Sequence, residues 1–229
     1  MIVPDLIYDV GMHVGNDAAS YMAQGYRVIG IEANPVLVEH CRKRFERELS
    51  AGVLKILPVG VSDVNGVMPF YVNTGNNEWS SFDKEIGWRD AEGTVIEVPT
   101  MRFEEILEQF KTPFYLKVDI EGLEGHALNA LKSLKPEDLP QYVSTEANSF
   151  DYLMILRSLG YEKYKLVDMR AHGILAFSGP FGENTPGEWL TLEQVAYEWL
   201  HQKMKHIERM EHVRPDPLTW YDWHAKRTW

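Results

Sequence analysis

Cysteine is nearly missing from these 229 residues: Cys41 stands alone. With one thiol there is no intrachain disulfide and no thiolate zinc cluster, and the chain suits a reducing compartment. Long hydrophobic runs are also missing, and the start, "MIVPDLIYDV", has neither the basic residues nor the extended apolar stretch of a secretory leader. The expectation is a cytoplasmic protein with no membrane partner. Positive charge is in deficit too: the net charge of -11 would repel a phosphate backbone, so nucleic acid is not expected as a partner. Internal repeats and low-complexity tracts do not occur. What remains is an ordinary globular mix, 45% hydrophobic and 25% charged, of a length that suits one domain spanning 1–229.

Short apolar runs alternate with amphipathic stretches. The runs are "LIYDV" (6–10), "RVIGIEA" (27–33), "VLKILPVGVS" (53–62), "FYLKVDI" (114–120) and "YVSTEA" (142–147); helical patterns fall near 16–24, 35–50, 102–110, 122–134 and 149–160. Strands that are apolar throughout are buried on both faces of a parallel sheet. The repeated strand-helix-strand order therefore predicts a mostly parallel, doubly wound α/β sheet. "KYKLVDM" (163–169) and "GILAFSG" (173–179) are expected to close it as an antiparallel pair. Two segments interrupt the alternation: an insert at 63–100 holding the strand-like "GVMPFYVN", and a C-terminal extension at 180–229 with a helix from Thr191 to about Arg209 and an aromatic tail. An insert of that length is not an idle connection. Few residues precede the first strand, so these two segments are expected to cover the site.

The chemistry begins at "YDVGMHVGND" (8–17), a strand end that turns through Gly11 and Gly15 into a helix. Ligands of open α/β sheets bind beyond the carboxyl ends of strands, where such glycines bring the backbone close and the helix N-terminus offers N–H groups to an anion. Asp9 suits a cationic amine, so a ligand with both an amine and a carboxylate fits better than a pyrophosphate. Glu32, with Ala33 beside it, closes the second strand and is placed to accept hydrogen bonds from ribose hydroxyls. Ser62 and Asp63 end the third, where an adenine amino group would fall. Amino acid, ribose and adenine in that order describe S-adenosyl-L-methionine. The cofactor set is then Asp9, Gly11, His13, Gly15, Asn16, Asp17, Glu32, Ala33, Ser62 and Asp63. A dinucleotide enzyme would want G-x-G-x-x-G, and the loop is G-x-x-x-G.

"DVGMHVGND", "VIGIEANP", "GVSDVNG" and "YLKVDIEGLEGHAL" together resemble the FkbM family of SAM-dependent methyltransferases across about residues 6–160, with "KVDIEG" the most specific element; "SGPFGENTPGEWL" and "WYDWHA" resemble one branch of it. The resemblance implies a Rossmann-like class I methyltransferase fold and methyl transfer, usually to oxygen. His13 and Val14 depart from the loop pattern common in the family, while Asp9, Gly11 and Gly15 keep it.

Methyl transfer from a sulfonium demands alignment of the acceptor and removal of its proton. Asp119, Glu121 and Glu124 lie within six residues after the fourth strand, and Glu146 ends the next. Carboxylates so gathered need cations, shared protons or hydrogen bonds, and the sulfonium or a divalent ion would serve. Asp119 is assigned to the methionine end of the cofactor, with Glu121 and Glu146 as candidate bases; Glu124 reads as a helix-starting acid. No metal ligands are assigned. Among eight histidines, His13, His172 and His224 merit attention. Trp79, Ser80 and Ser81, with His172, are candidates for binding a small-molecule or saccharide acceptor. The tryptophans at 220, 223 and 229 read as a packing lid or dimer contact. Two other functions share the pattern: an NAD-dependent dehydrogenase, which lacks its glycine signature here, and a non-catalytic SAM- or nucleotide-binding protein.

Overall fold

Nine residues open the architecture: β1, Ile2–Val10, runs from an exposed start to five consecutive buried residues, Leu6 to Val10. The computed structural model describes residues 1–89, 93–169, 183, 185, 187–210 and 221–228, with backbone alone at 205–210. The chain divides into two compact units, Met1–Pro140 and Gln141–Trp229.

In the first unit β1 is followed by α1 (Asn16–Ala23), β2 (Arg27–Ile31), α2 (Pro35–Arg44), α3 (Glu46–Ser50) and β3 (Leu54–Leu57). Asn34 starts α2 by accepting a hydrogen bond from the Val36 N–H, with Pro35 at the first helical position, where its missing N–H costs nothing. The helix expected over 35–50 is two helices, because Phe45 leaves helical geometry (φ -114°, ψ 33°) and buries its ring. Next come β4 (Gly60–Ser62), β5 (Gly66–Val72), α4 (Lys84–Gly87), β6 (Thr94–Arg102), α5 (Phe103–Phe110), β7 (Thr112–Val118) and α6 (Glu124–Ala130). Four strands run parallel in the order β3-β2-β1-β7. The chain winds outward from β1 to β3 and then returns to the other side of β1 as β7. The loops after β1 and β7 therefore flank a topological switch point, the place where open α/β sheets take ligands. The α/β class and the mostly parallel sheet are as the sequence predicts.

The expected third strand over 53–62 is broken. Pro58 has no N–H to give a ladder, and the chain leaves the parallel sheet after Leu57. β4 belongs to a second sheet, ordered β4-β6-β5, in which β4 is parallel and β5 antiparallel to β6. Ser62 and Asp63 thus end a strand of the small sheet and not the third strand of the parallel rim.

The second unit holds β8 (Tyr142–Glu146), α7 (Phe150–Ser158), β9 (Lys163–Asp168), α8 (Leu192–Met210) and β10 (Tyr221–Lys226). The antiparallel partner of β9 is β10, which lies between β8 and β9 and is antiparallel to both. The expected partner, "GILAFSG", lies outside the described residues, as do His172, Trp220 and Trp229. The aromatic tail is therefore a strand, and its central tryptophan is core: Trp223 is fully buried, its Nε1 donates to the Ser149 carbonyl at 3.2 Å, and its ring lies 6.0 Å from that of Trp199. No helix among the described residues is long and apolar enough to cross a membrane.

His224, a candidate base by sequence, is buried in β10 with Nδ1 lacking a hydrogen-bond partner. Burial, reinforced by the Lys165 charge, pushes its imidazole down to about 4. An unfolded histidine protonates near 6.5, so the unfolded state binds the extra proton first as pH falls. Stability should be complete above pH 6.5 and fall by roughly 3 kcal/mol on acidification to pH 4. Urea unfolding from pH 7 to 4 checks this: a His224→Gln variant should lack that part of the acid loss.

Candidate active site

The loop after β1 turns on two left-handed glycines. Gly11 (φ +82°) donates to the Ile31 carbonyl at 2.9 Å, and a Cβ there would stand 1.7 Å from the Asp119 carbonyl oxygen. Gly15 (φ +79°) is the N-cap of α1, and its Cβ would stand 2.5 Å from the Phe45 ring. Both glycines are needed because other parts of the protein fill the space beside them. Asn16 is equally committed: its side-chain oxygen accepts from Arg44 at 2.8 Å, and the same guanidinium nitrogen donates to the Val14 carbonyl at 2.6 Å. No side chain caps the N-terminus of α1, and Asp17 stands in its first turn.

Glu32, buried at the end of β2, fastens this loop. One carboxylate oxygen accepts the His13 N–H and the other the Asn34 N–H, each at 2.8 Å. Burial raises its pKa, while the backbone N–H groups of Asn34, His13 and neighbouring Ala33 oppose the rise. The His13 ring reaches the other way, with Nε2 2.9 Å from Asn77 Oδ1 in the insert. Ser62 is buried in the small sheet, its single hydroxyl proton within reach of either Asp63 at 3.2 Å or the Met68 sulfur at 3.3 Å.

Below the loop lies a buried ion cluster. Asp9 has no exposure; Oδ1 is 3.4 Å from Lys117 Nζ and Oδ2 has no hydrogen-bond partner. The same ammonium is 3.0 Å from Asp17 and 3.6 Å from Asp119. Asp119 is 47% exposed; the buried charges are Asp9 and Lys117, which is 13% exposed. Sequence reasoning missed Lys117. Its only signal was a lysine inside an otherwise apolar strand, two residues before an aspartate.

Glu121 forms the third part. It sits in the left-handed region (φ +53°), with its side chain 15% exposed and paired to Arg89 at 2.9 Å. Burial, then the Asp119 charge, pushes its carboxyl up to about 7 against the pull of Arg89. The Arg89 guanidinium lies 4.5 Å from the centre of the Trp79 ring. Ser81 is buried and donates to the Glu121 carbonyl at 2.8 Å, while accepting from the Asp83 N–H; Ser80 donates to the Asn77 carbonyl and accepts from the Asn73 N–H. These hydroxyls hold the insert together. Glu124 is fully buried and accepts N–H groups from Ile120 and Gly122, so it shapes the loop that carries Glu121. Glu146 ends β8 in the second unit and accepts from Asn148 at 3.0 Å. Asp9, Asp17, Glu32, Lys117, Asp119 and Glu121, together with the insert residues that hold the last of them, all belong to the first unit. Arg89→Gln should raise the Glu121 midpoint further, and a carboxyl NMR titration of the variant checks it; an unmoved midpoint would remove Arg89 from the control of Glu121.

A family model of the methyltransferase FkbM domain matches residues 9–163. The chain belongs to the FkbM methyltransferase family. Among solved structures, a methyltransferase FkbM from Methylobacillus flagellatus is similar at 16% identity and TM-score 0.48, over 98% of this chain and 44% of that one. This FkbM-family chain therefore spans less than half of that protein's length. A precorrin-6y C5,15-methyltransferase from Geobacter metallireducens (10% identity, TM-score 0.42) aligns over 97% of this chain and 79% of its own. An rRNA methylase from Streptococcus thermophilus (8% identity, TM-score 0.46) aligns over 99% and 88%. No curated protein matches the sequence.

Proposed function

We propose that this FkbM-family protein is a methyltransferase that uses S-adenosyl-L-methionine and acts on a hydroxyl of a small molecule or saccharide, with Glu121 as the base. The observation that carries the reading is Glu121 itself: a carboxylate on the loop following β7, mostly buried and pushed to about 7, able to hold or release a proton near neutrality.

The donor set of the first unit fits the cofactor. The unpartnered Oδ2 of Asp9 is a buried acceptor lacking a donor, which an ammonium would supply. Asp17 and Asp119 add negative charge for a cationic ligand. Glu32 takes the backbone N–H groups of His13, Asn34 and Ala33, and a carboxylate has about four acceptor positions, so about one is left for a ribose hydroxyl. The uncapped start of α1 suits the ligand's carboxylate. Gly11, His13, Gly15, Asn16 and Ala33 shape the wall. When bound, the cofactor supplies a methyl group activated on a positive sulfur. The protein's own work is to orient the acceptor hydroxyl and take its proton at the Glu121 carboxylate. Trp79, stacked by Arg89, offers an aromatic face for the acceptor.

Calorimetric titration with S-adenosylhomocysteine and separately with NAD tests the reading. Micromolar affinity for the first alone is the expected result, followed by transfer from labelled cofactor in a screen of hydroxyl acceptors. A folded protein that binds neither would overturn it. Binding with no transfer to any acceptor class would favour a non-catalytic cofactor-binding protein.

A further inference from the structure

We propose that Lys117 is a positioning residue that favours the anionic form of Asp9, with one oxygen left to accept from a cationic ligand, by sharing its ammonium among Asp9, Asp17 and Asp119. The inference rests on the cofactor reading above and deepens it.

A carboxylate with no exposure cannot stay ionised without a counter-charge. Asp9 is such a group, and the ammonium nearest it comes from the neighbouring strand: Lys117 is the register partner of Asp9 in the β1–β7 ladder. Register pairing fixes the separation of the two backbones, so the ion pair is built into the sheet. Among the described residues, the other groups that interact electrostatically with Asp9 are Asp17 and Tyr21 on α1, Cys41 on α2 and Asp119 after β7, and none of them is a cation. Burial pushes Asp9 up to about 7, the Lys117 charge opposes this, and Asp17 and Asp119 add to the rise. Burial also lowers the Lys117 ammonium, but the three carboxylates outweigh it and hold its pKa well above the ordinary lysine value. The lysine thus stays charged wherever Asp9 titrates. A protonated Asp9 would present an O–H donor where a ligand ammonium needs an acceptor, so the charge of Lys117 decides which kind of group the site offers.

The test is a carboxyl NMR titration of the ligand-free protein labelled with 13C at aspartate Cγ, with Asp9 assigned by Asp9→Asn. In the wild type Asp9 should titrate near 7. Lys117→Met should move that midpoint up by at least about one pH unit, equivalent to ten-fold in proton affinity, and Lys117→Arg should leave it near the wild-type value. S-adenosylhomocysteine affinity gives the second readout. It should rise with pH through the Asp9 midpoint and then level off, and Lys117→Met should displace the whole rise to higher pH. A lysine that only packs would lower affinity equally at every pH. An unmoved Asp9 midpoint in Lys117→Met overturns the proposal. Wild-type protein that does not bind S-adenosylhomocysteine would instead overturn the cofactor reading, and the titration would still judge the charge relation. Should Lys117→Met fail to fold, Asp119→Asn serves: losing that exposed charge should lower the Asp9 midpoint, and no change would count against the cluster.

Discussion

Glutamine in place of Glu121 is expected to lower the methyl-transfer rate by roughly 100-fold or more, the usual contribution of a positioned base, with S-adenosylhomocysteine affinity nearly unchanged. The amide keeps an oxygen for Arg89 but cannot take a proton. The wild-type rate should climb with pH through about 7 and flatten above it, because the base form of Glu121 accumulates there. The variant should lose that limb. Stability carries the opposite sign. A raised folded pKa means that the folded state binds the proton more tightly, so this contribution is complete below pH 4.5 and is lost as pH rises through about 7. Glu121→Gln should therefore flatten unfolding free energy over the range in which it flattens the rate. A variant with a wild-type rate profile would leave the proton with another group.

Alanine at position 32 is expected to act on both affinity and fold. Under the proposed reading the carboxylate accepts from the ribose, and its loss should weaken S-adenosylhomocysteine binding by roughly 1 to 3 kcal/mol. The same change leaves the His13 and Asn34 N–H groups without acceptors, at about 1 to 3 kcal/mol for each that stays dry. Thermal unfolding and calorimetry on the same preparation separate the two effects. Glu32→Gln, which keeps one carbonyl acceptor, should lie between wild type and alanine in both. Undiminished affinity in folded Glu32→Ala would confine Glu32 to holding the loop.

Much of the fold could be read from local pattern. β1, β2 and β7 are short apolar runs, and a strand buried on both faces has no other appearance. Pro58 was visible, but the consequence was not: only the competing ladder of β6 explains why the chain changes sheets there. β6 itself, "TVIEVPTMR", was lost inside an insert judged by its polar half. β10, Tyr221–Lys226, does alternate apolar and polar residues, but over six residues of an aromatic tail that pattern reads equally as a packing lid, and only its two partner strands supply the burial. In the site, Glu32 and Glu121 were legible as acids at strand ends. Lys117 was not, because its role depends on Asp9 and Asp17, which lie about a hundred residues away in sequence and meet it only through the parallel register. Ser81 was read for its hydroxyl, and the hydroxyl is spent on the backbone of Glu121.

The place of β10 sets the order in which the second unit is able to form. β8 and β9 are not neighbours in their sheet; each pairs with a strand that the ribosome makes later, roughly 50 residues after β9 and so several seconds later at ordinary elongation rates. Until then each has an open edge facing the other, spaced for a strand that has not arrived. Nascent chains stalled before residue 221 should consequently recruit chaperones or pair wrongly, and emergence of β10 should close both edges in one step.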